Sequence, residues 1–284
     1  MRTIDADSAP ASRADFVASL AAGLRVLSAF TSDRPELGVG ELARLLEMDK
    51  RRTQRLVSTL FEVGYLEQDP ETRRYRPGVA VLTLGYAALQ SLDLRQVARP
   101  HLVSLLDRFT QSVNLAVRVA DHMVFVDCLR GDRYRLGVNV YVGDRVPIHL
   151  SSLGKAVLSA LPPDECAAVV DRLVFDAVTP HSVRSSAELE GQLERARRRG
   201  YAAMDQETTI GVRSVAATVR STDGRPVAAV NVAMPSPLMS MAELEESVAP
   251  AVVQVAARIS RLLPPDTAAR HATAVLGTGV SAQT

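Results

Sequence analysis

The sequence predicts an α+β protein in two parts. A small domain of three helices and a hairpin comes first. A larger domain of antiparallel strands with helices at its edges follows. Three observations carry this reading. Residues 50–63 show an amphipathic helical pattern crowded with arginine, set between a short helical segment and two short extended runs. Beyond residue 94, strand-like apolar runs mix with helical segments, which marks an α+β domain and not a doubly wound sheet. At 284 residues the chain is long enough for two cores.

Composition narrows the possible functions. Hydrophobic residues make up 47% and charged residues 23%, as in globular proteins. A net charge of +1 gives no global field for nucleic acid or membrane, so any basic surface must be local. The two cysteines, Cys128 and Cys166, form no CxxC and no Cys/His cluster. A disulfide scaffold or structural zinc is therefore not expected, and neither a metal nor a cofactor is assigned. The start, "MRTIDADSAPASRAD", lacks the apolar core of a signal peptide. The run "FVASLAAGLRVLSAF" carries Arg25 and is too short to span a bilayer. The expectation is a cytoplasmic protein with no membrane partner.

The elements follow in order. Residues 1–13 and 264–284 read as disordered tails, small and polar without a period. Residues 14–78 form the small domain, 79–94 a linker helix and 95–263 the larger domain. "FVASLAAGLRVLSAF" is a helix expected to bury Leu20, Ala21, Leu24 and Leu27. "VGELARLLEM" is a second, with Leu42, Leu45 and Leu46 apolar. Asp49 caps a third, starting at Lys50. At 100° per residue, Thr53, Leu56, Val57, Leu60 and Val63 share one face of it. Arg51, Arg55, Ser58 and Glu62 lie opposite, flanked by Arg52, Gln54 and Thr59. Two helices joined by so short a turn are the sequence form of helix-turn-helix. "GYLEQD" and "RRYRP" then pair around "PET" as a wing.

A helix of this width fits the DNA major groove, where Arg or Gln reads base edges. Lys50, Arg51, Arg52, Gln54, Arg55 and Ser58 are the candidate contacts, with Arg73, Arg74 and Arg76 of the wing beside phosphates. One cationic amphipathic helix alone would as readily be a solvated face. The order helix, turn, cationic helix, cationic hairpin favours DNA.

In the larger domain the strand candidates are "SVNLAVRVA", "HMVFVDCLR", "YRLGVNVYVGD", "YAAMDQE", "RSVAATVRS" and "PVAAVNVAM". "RQVARPHLVSLLDRF" is a helix. "SAELEGQLERARRRG" is another, with a capping box from Ser185 to Glu188 and a stop at Gly200. "SMAELEESVAPAVVQVAARISRLL" is the last, capped by Ser240 and Glu243 and kinked at Pro250. In "IHLSSLGKAVLSALPP", Ser151 or Ser152 caps a helix whose outward N–H groups suit an anion. Gly154 there lets another group approach the backbone. From this segment alone, an ordinary capped helix is the plainer reading. The "RARRR" run at 195–199 is read as a solvated face, and neither His122 nor His149 is given a role.

The chain resembles the IclR family of transcriptional regulators. The resemblance rests on "FVASLAAGLRVLSAF", "VGELARLLEMDKRRTQRLVSTLFEVGYLE", "RRYRPGVAVLTLGYAALQSLDL", "ARPHLVSLLDRF", "VPIHLSSLGKAVLSAL" and "GYAAMDQETTIGVRSVAATV", which run in family order over about residues 15–262. It implies a winged helix-turn-helix, a linker helix and a GAF-like effector-binding domain. It also implies dimers, often paired into tetramers, on palindromic double-stranded DNA operators. Carried over position by position, it implies a small-molecule pocket lined by Ser152, Leu153, Gly154, Asp205, Glu207, Val212, Ser214 and Asn231, with Leu136 or Met123 closing it. Asp205 and Glu207 would share a strand face, and Arg213 would meet an anion or make an internal salt bridge. "FVASLAAGLRVLSAF" with "SLDLRQVARPHL" is most similar to the branch controlling aromatic-acid breakdown, of the protocatechuate and 4-hydroxybenzoate type. That implies a small carboxylate effector. The family often has small residues where this chain has Arg51 and Arg52, which points to a different operator preference.

Two other classes remain. An enzyme would use Asp205 and Glu207 as an acid/base pair, but no GxSxG, P-loop, HExxH or GxGxxG motif accompanies them. A ligand-independent DNA-binding protein would leave the larger domain without a purpose.

Overall fold

The computed structural model describes residues 16–31, 34–90, 93–131 and 140–264. The chain divides into two compact units, residues 1–88 and 89–284.

The first unit opens with α1 (Ala18–Ser28), α2 (Val39–Leu45) and α3 (Lys50–Glu62). The antiparallel wing follows, β1 (Leu66–Gln68) and β2 (Tyr75–Pro77). Helix α4 (Val79–Gln90) comes next and runs past the division. The Asp49 carboxylate accepts from the N–H groups of Arg51 and Arg52 and so starts α3. The wing turn is built by Asp69, whose Oδ1 accepts from Glu71 and Thr72. Leu37 exchanges both backbone hydrogen bonds with Tyr75 and ties the wing to the segment before α2.

The core of this unit is Val26, Ala29, Leu37, Leu42, Val57, Leu66 and Tyr75. The sequence pattern points Leu20 and Leu24 inward, but they are 63% and 56% exposed. Helix α1 instead buries Ala22, Gly23 and Val26. It is apolar almost all round, so its period does not choose a face, and the small residues allow closer approach to α3. Leu45 and Val63 also turn outward, each at the C-terminal end of its helix.

The second unit is one six-stranded antiparallel sheet in the order β5-β4-β3-β8-β7-β6. Its strands are β3 (Ser112–Val119), β4 (His122–Arg130), β5 (Arg145–Pro147), β6 (Ala202–Asp205), β7 (Val212–Arg220) and β8 (Pro226–Pro235). One face packs against α5 (Asp93–Phe109) and α10 (Ala249–Leu262), around residues such as Leu102, Leu115, Val230, Val252 and Ile259. The other packs against α6 (Ser152–Ala160) and α8 (Ser186–Arg199), with Leu153, Val157, Leu189 and Leu193 in its core. Helices α7 (Pro163–Val170) and α9 (Met241–Ser247) complete the described elements.

The expected strand at 134–144 is not tested over residues 132–139, which lie outside the described residues and include Leu136. At 140–144 there is no strand, and the edge strand β5 begins at Arg145. Near Pro250 the chain does not kink within one helix. It breaks at Val248, and Pro250 falls in the first turn of α10, where its missing N–H costs no helical bond. Ser240 and Glu243 make both capping-box bonds. Ser185 accepts from the Glu188 N–H, but the Glu188 carboxylate accepts from Arg184.

Candidate nucleic-acid interface and effector site

Helix α3 carries the cationic surface. Lys50, Arg51, Arg52, Gln54, Arg55 and Ser58 are all exposed, while Thr53 and Val57 on the other side are fully buried. Buried Thr53 satisfies its hydroxyl on the Asp49 carbonyl, which makes it compatible with the core. Gln54 Nε2 donates to Ser58 Oγ at 3.2 Å. The four cations of α3 have no carboxylate partner among the described residues.

The wing arginines are not equivalent. Arg74 reaches the Glu41 carboxylate at 2.8 Å and the Glu36 carbonyl at 2.9 Å. Arg76 holds Glu67 at 3.1 Å. Arg73, in the left-handed region at φ 57°, is exposed and has no ion pair among the described residues. Of the three arginines expected beside phosphates, Arg74 and Arg76 thus have carboxylate partners within the first unit and Arg73 has none among the described residues. The pairing with Arg74 follows from Glu41, whose carboxylate also accepts from the Gly38 N–H and is held below its usual pKa by that bond first.

The second site lies on the α6 side of the sheet. Ala116, Ala216 and Ala229 belong to the core on that side. Asn114, Ser214 and Asn231 stand two residues from them on the same strands and so share their face. Polar side chains therefore interrupt an apolar surface. Asn114 Nδ2 donates to Asn231 Oδ1 at 2.9 Å, and Ser112 Oγ donates to Asn114 Oδ1 at 3.3 Å. Ser152 Oγ on α6 lies 2.7 Å from Ser214 Oγ. Asn231 Nδ2 donates to no described residue.

The N-terminus of α6 is closed more tightly than its sequence suggests. Ser151 is the cap, and its Oγ accepts from the Gly154 N–H. The first turn is buried, so its N–H groups do not point outward. The group that approaches Gly154 is the carbonyl of Ile148, which a Cβ there would meet at 2.0 Å. Leu153 and Met123 lie in the apolar core, 1% and 0% exposed. Val212 opens β7 half-buried, its carbonyl accepting from the Gln206 N–H.

Asp205 and Glu207 do not share a face. Strand β6 ends at Asp205, and Gln206 takes a left-handed φ of 60°, which breaks the period of two. Asp205 turns to Arg213, at 2.7 Å, and Arg213 Nη1 also donates to the carbonyls of Ser236 and Met239. Arg213 thus makes the internal salt bridge. Glu207 turns inward to Lys155, 2.5 Å away. Burial raises the Glu207 pKa and lowers that of Lys155, each against the pull of the other charge. His149 is buried with both ring nitrogens unpartnered among the described residues, edge-on to Phe175. The Cys128 thiol is pushed up to about 12 by burial and then by Asp127, so it stays protonated. Arg197 pairs with Glu190 and Glu194, and Arg199 with Glu245, so those cations of the basic run have carboxylate partners.

The family models for "IclR helix-turn-helix domain" and "Bacterial transcriptional regulator IclR C-terminal" match residues 19–70 and 86–261. The chain belongs to the IclR family. The Pca regulon regulatory protein of Pseudomonas putida is 28% identical over 236 residues, 83% of this chain and 80% of that protein. An IclR-family regulator from Brucella abortus has a crystal structure with TM-score 0.75 at 30% identity, covering 92% of this chain and 97% of that one. The crystal structure of an IclR homolog from Microbacterium hydrocarbonoxydans, complexed with 4-hydroxybenzoate, aligns with TM-score 0.71 at 26% identity over 86% of this chain and 98% of that one. IclR-family members are DNA-binding regulators, not enzymes, and usually bind an effector. No helix among the described residues of this IclR-family chain is long and apolar enough to cross a membrane.

Two polar residues of the C-terminal unit, Asn114 and Lys155, escape sequence reasoning, and His149 is given no role by it although it is buried. Their signal was present as single polar residues inside apolar segments, "SVNLAV", "VPIHL" and "LGKAVL". Such residues read as strand or helix surface until packing shows both sides covered.

Proposed function

We propose that this IclR-family regulator binds a palindromic operator as a homodimer and responds to an aromatic carboxylate in its C-terminal domain. The observation that carries the DNA half is α3: an N-capped helix with an exposed cationic face and a buried opposite face, one short turn after α2. Two such helices would enter successive major grooves, roughly one helical turn apart. Arg51, Arg52, Gln54, Arg55 and Ser58 read bases, and Lys50 and Arg73 hold phosphates. Arg74 and Arg76 position the wing through their carboxylate partners and reach phosphate only secondarily.

Dimerisation has support in exposed apolar side chains. Leu20 and Leu24 are one turn apart on α1, and Val79, Leu82 and Tyr86 form a stripe on α4. A further pairing of dimers into tetramers belongs to the same proposal, as do a cytoplasmic location and the division at 14–78, 79–94 and 95–263. The effector seat is the polar strip of Ser152, Ser214, Asn231 and Asn114, bounded by apolar Leu153 and Met123. Asp205 is spoken for by Arg213. The aromatic class is supported by the Pseudomonas putida relative and by the 4-hydroxybenzoate held by the Microbacterium homolog.

Thermal unfolding against aromatic and short aliphatic carboxylates tests the effector half. A bound ligand at ~100 times its dissociation constant stabilises the folded form by about 2.7 kcal/mol. A shift with 4-hydroxybenzoate or protocatechuate and none with ring-lacking acids is expected. A shift only with aliphatic acids overturns the aromatic class. Specific retention of an operator fragment over random DNA tests the other half.

A further inference from the structure

Lys155 is the largest fully buried side chain among the described residues, at 1% exposure. It stands one turn along α6 from Ser152. Its Nζ lies 2.5 Å from Glu207 Oε1. A buried ion pair is a poor stabilising device, since apolar residues of similar volume often do as well or better. This pair is also incomplete. Glu207 Oε2 and Oε1 of neighbouring Gln192 are buried and meet no hydrogen-bond partner at normal distance among the described residues, with the Gln192 amide near enough to pull the Glu207 pKa down a little against burial. A chain of contacts joins the pair to the polar strip. The Glu207 N–H meets Met204 Sδ at 3.3 Å. Met204 pairs with Ser214 across β6 and β7. Ser214 Oγ lies 2.7 Å from Ser152 Oγ.

We propose that Lys155 and Glu207 form the charge-selecting wall of the effector site: a carboxylate effector takes Lys155 as counter-ion, and Glu207 binds one proton from solvent as the anion enters. This rests on the polar strip being the effector seat. With both partners ionised the pair is neutral. An entering carboxylate would leave two anions sharing one ammonium in a poorly solvated place, and like charges in one site drive one of them to protonate. Glu207 is the group ready to do so, because burial already favours its neutral form. The new O–H bond forms on the orphaned Oε2, which turns from an unmatched acceptor into a donor for the effector or for Gln192 Oε1. The proton comes from water or buffer and nothing else changes hands. The other charges facing the pair are Glu188 and Arg195 of α8, which act in opposite senses, and His149, whose protonation burial disfavours. Arg213 is held by Asp205.

Isothermal titration of the full chain with 4-hydroxybenzoate, protocatechuate, acetate and pyruvate, in two buffers of different ionisation heat, tests this. The binding acid should take up close to one proton, and its affinity should fall about tenfold per pH unit above the Glu207 pKa. Glu207→Gln keeps the shape, so it should bind the same acid with no proton uptake and a flat pH dependence. Lys155→Met should lose the preference for 4-hydroxybenzoate over neutral 4-hydroxybenzamide; if it fails to fold, the glutamine variant decides. Binding without proton uptake, or uptake unchanged in Glu207→Gln, overturns the proposal and leaves the effector seat standing. No binding by any of the four acids overturns both. An aliphatic acid that binds with uptake supports the charge wall and removes only the aromatic assignment.

Discussion

The hydroxyls of Ser152 and Ser214 meet at 2.7 Å and join the first turn of α6 to β7, the strand beside the sheet edge. Each residue is 1% exposed, so neither has water as an alternative partner. Ser152→Ala or Ser214→Ala alone should cost about 1–3 kcal/mol, because each strands one buried hydroxyl. The double variant should cost much less than the sum, since no orphan remains. Urea unfolding of the four proteins measures the cycle. Additive losses would mean that the two hydroxyls find other partners.

The division of labour among the arginines predicts three different phenotypes. Arg55→Ala should reduce the preference for operator over random DNA, by about 1–3 kcal/mol for a lost bidentate base contact. Arg73→Ala should weaken binding to all sequences alike and reduce the salt slope by about one. Arg74→Ala removes the partner of Glu41 and the clamp on the Glu36 carbonyl. It should therefore lower the stability of the first unit only slightly, as solvent screens so exposed a pair. Salt-dependent anisotropy titrations with matched unfolding curves separate the three. A salt slope that drops for Arg74→Ala at unchanged stability would return Arg74 to the phosphate contacts.

Local chemistry made much of this fold legible. Asp49, Ser240 and Gly200 are cap and stop residues whose function needs only near neighbours, and each acts where the sequence puts it. The strands β4 and β8 alternate or run apolar over lengths that leave little choice. What the sequence did not hold was the choice of face. Helix α1 is apolar on several sides, so packing against α3, not period, decided that Leu20 and Leu24 stay out. The candidate effector site shows the same limit. Two carboxylates two apart suggest a shared face, but one left-handed residue, Gln206, sends them to different partners. No property of a lone sequence announces that residue, whose strain only the loop after β6 explains.

Gly154 should be irreplaceable in spite of its place in a helix. By helix propensity, alanine should gain about 1 kcal/mol there. A Cβ would however meet the Ile148 carbonyl oxygen at 2.0 Å, and backbone cannot swing aside as a side chain can. Overpacking of this kind costs about 1–3 kcal/mol and occasionally more, and a clash this close with backbone stands at the upper end, so the clash wins. Gly154→Ala should lower the unfolding midpoint and loosen the Ser151 cap. Gly85→Ala in α4, where a Cβ meets nothing within 4 Å, is the control and should be neutral or stabilising.

His149 gives the second unit a pH dependence of known sign. Burial, then the charge of Lys155, depresses its pKa below the usual 6.5. Below that value the unfolded chain binds more protons at this residue than the folded chain does. Stability must therefore fall as pH drops from about 6.5 toward the folded pKa. Glu207 acts with opposite sign, because its raised pKa lets the folded state bind the extra proton. A wild-type profile would mix the two, so the comparison has to be made within variants. His149→Phe keeps the ring against Phe175 and removes the titration. Its unfolding free energy should exceed that of wild type most at mildly acidic pH, and the gap should narrow as pH rises past about 7. A gap that is the same at every pH would mean that His149 is protonated alike in both states, with an ordered water answering its nitrogens.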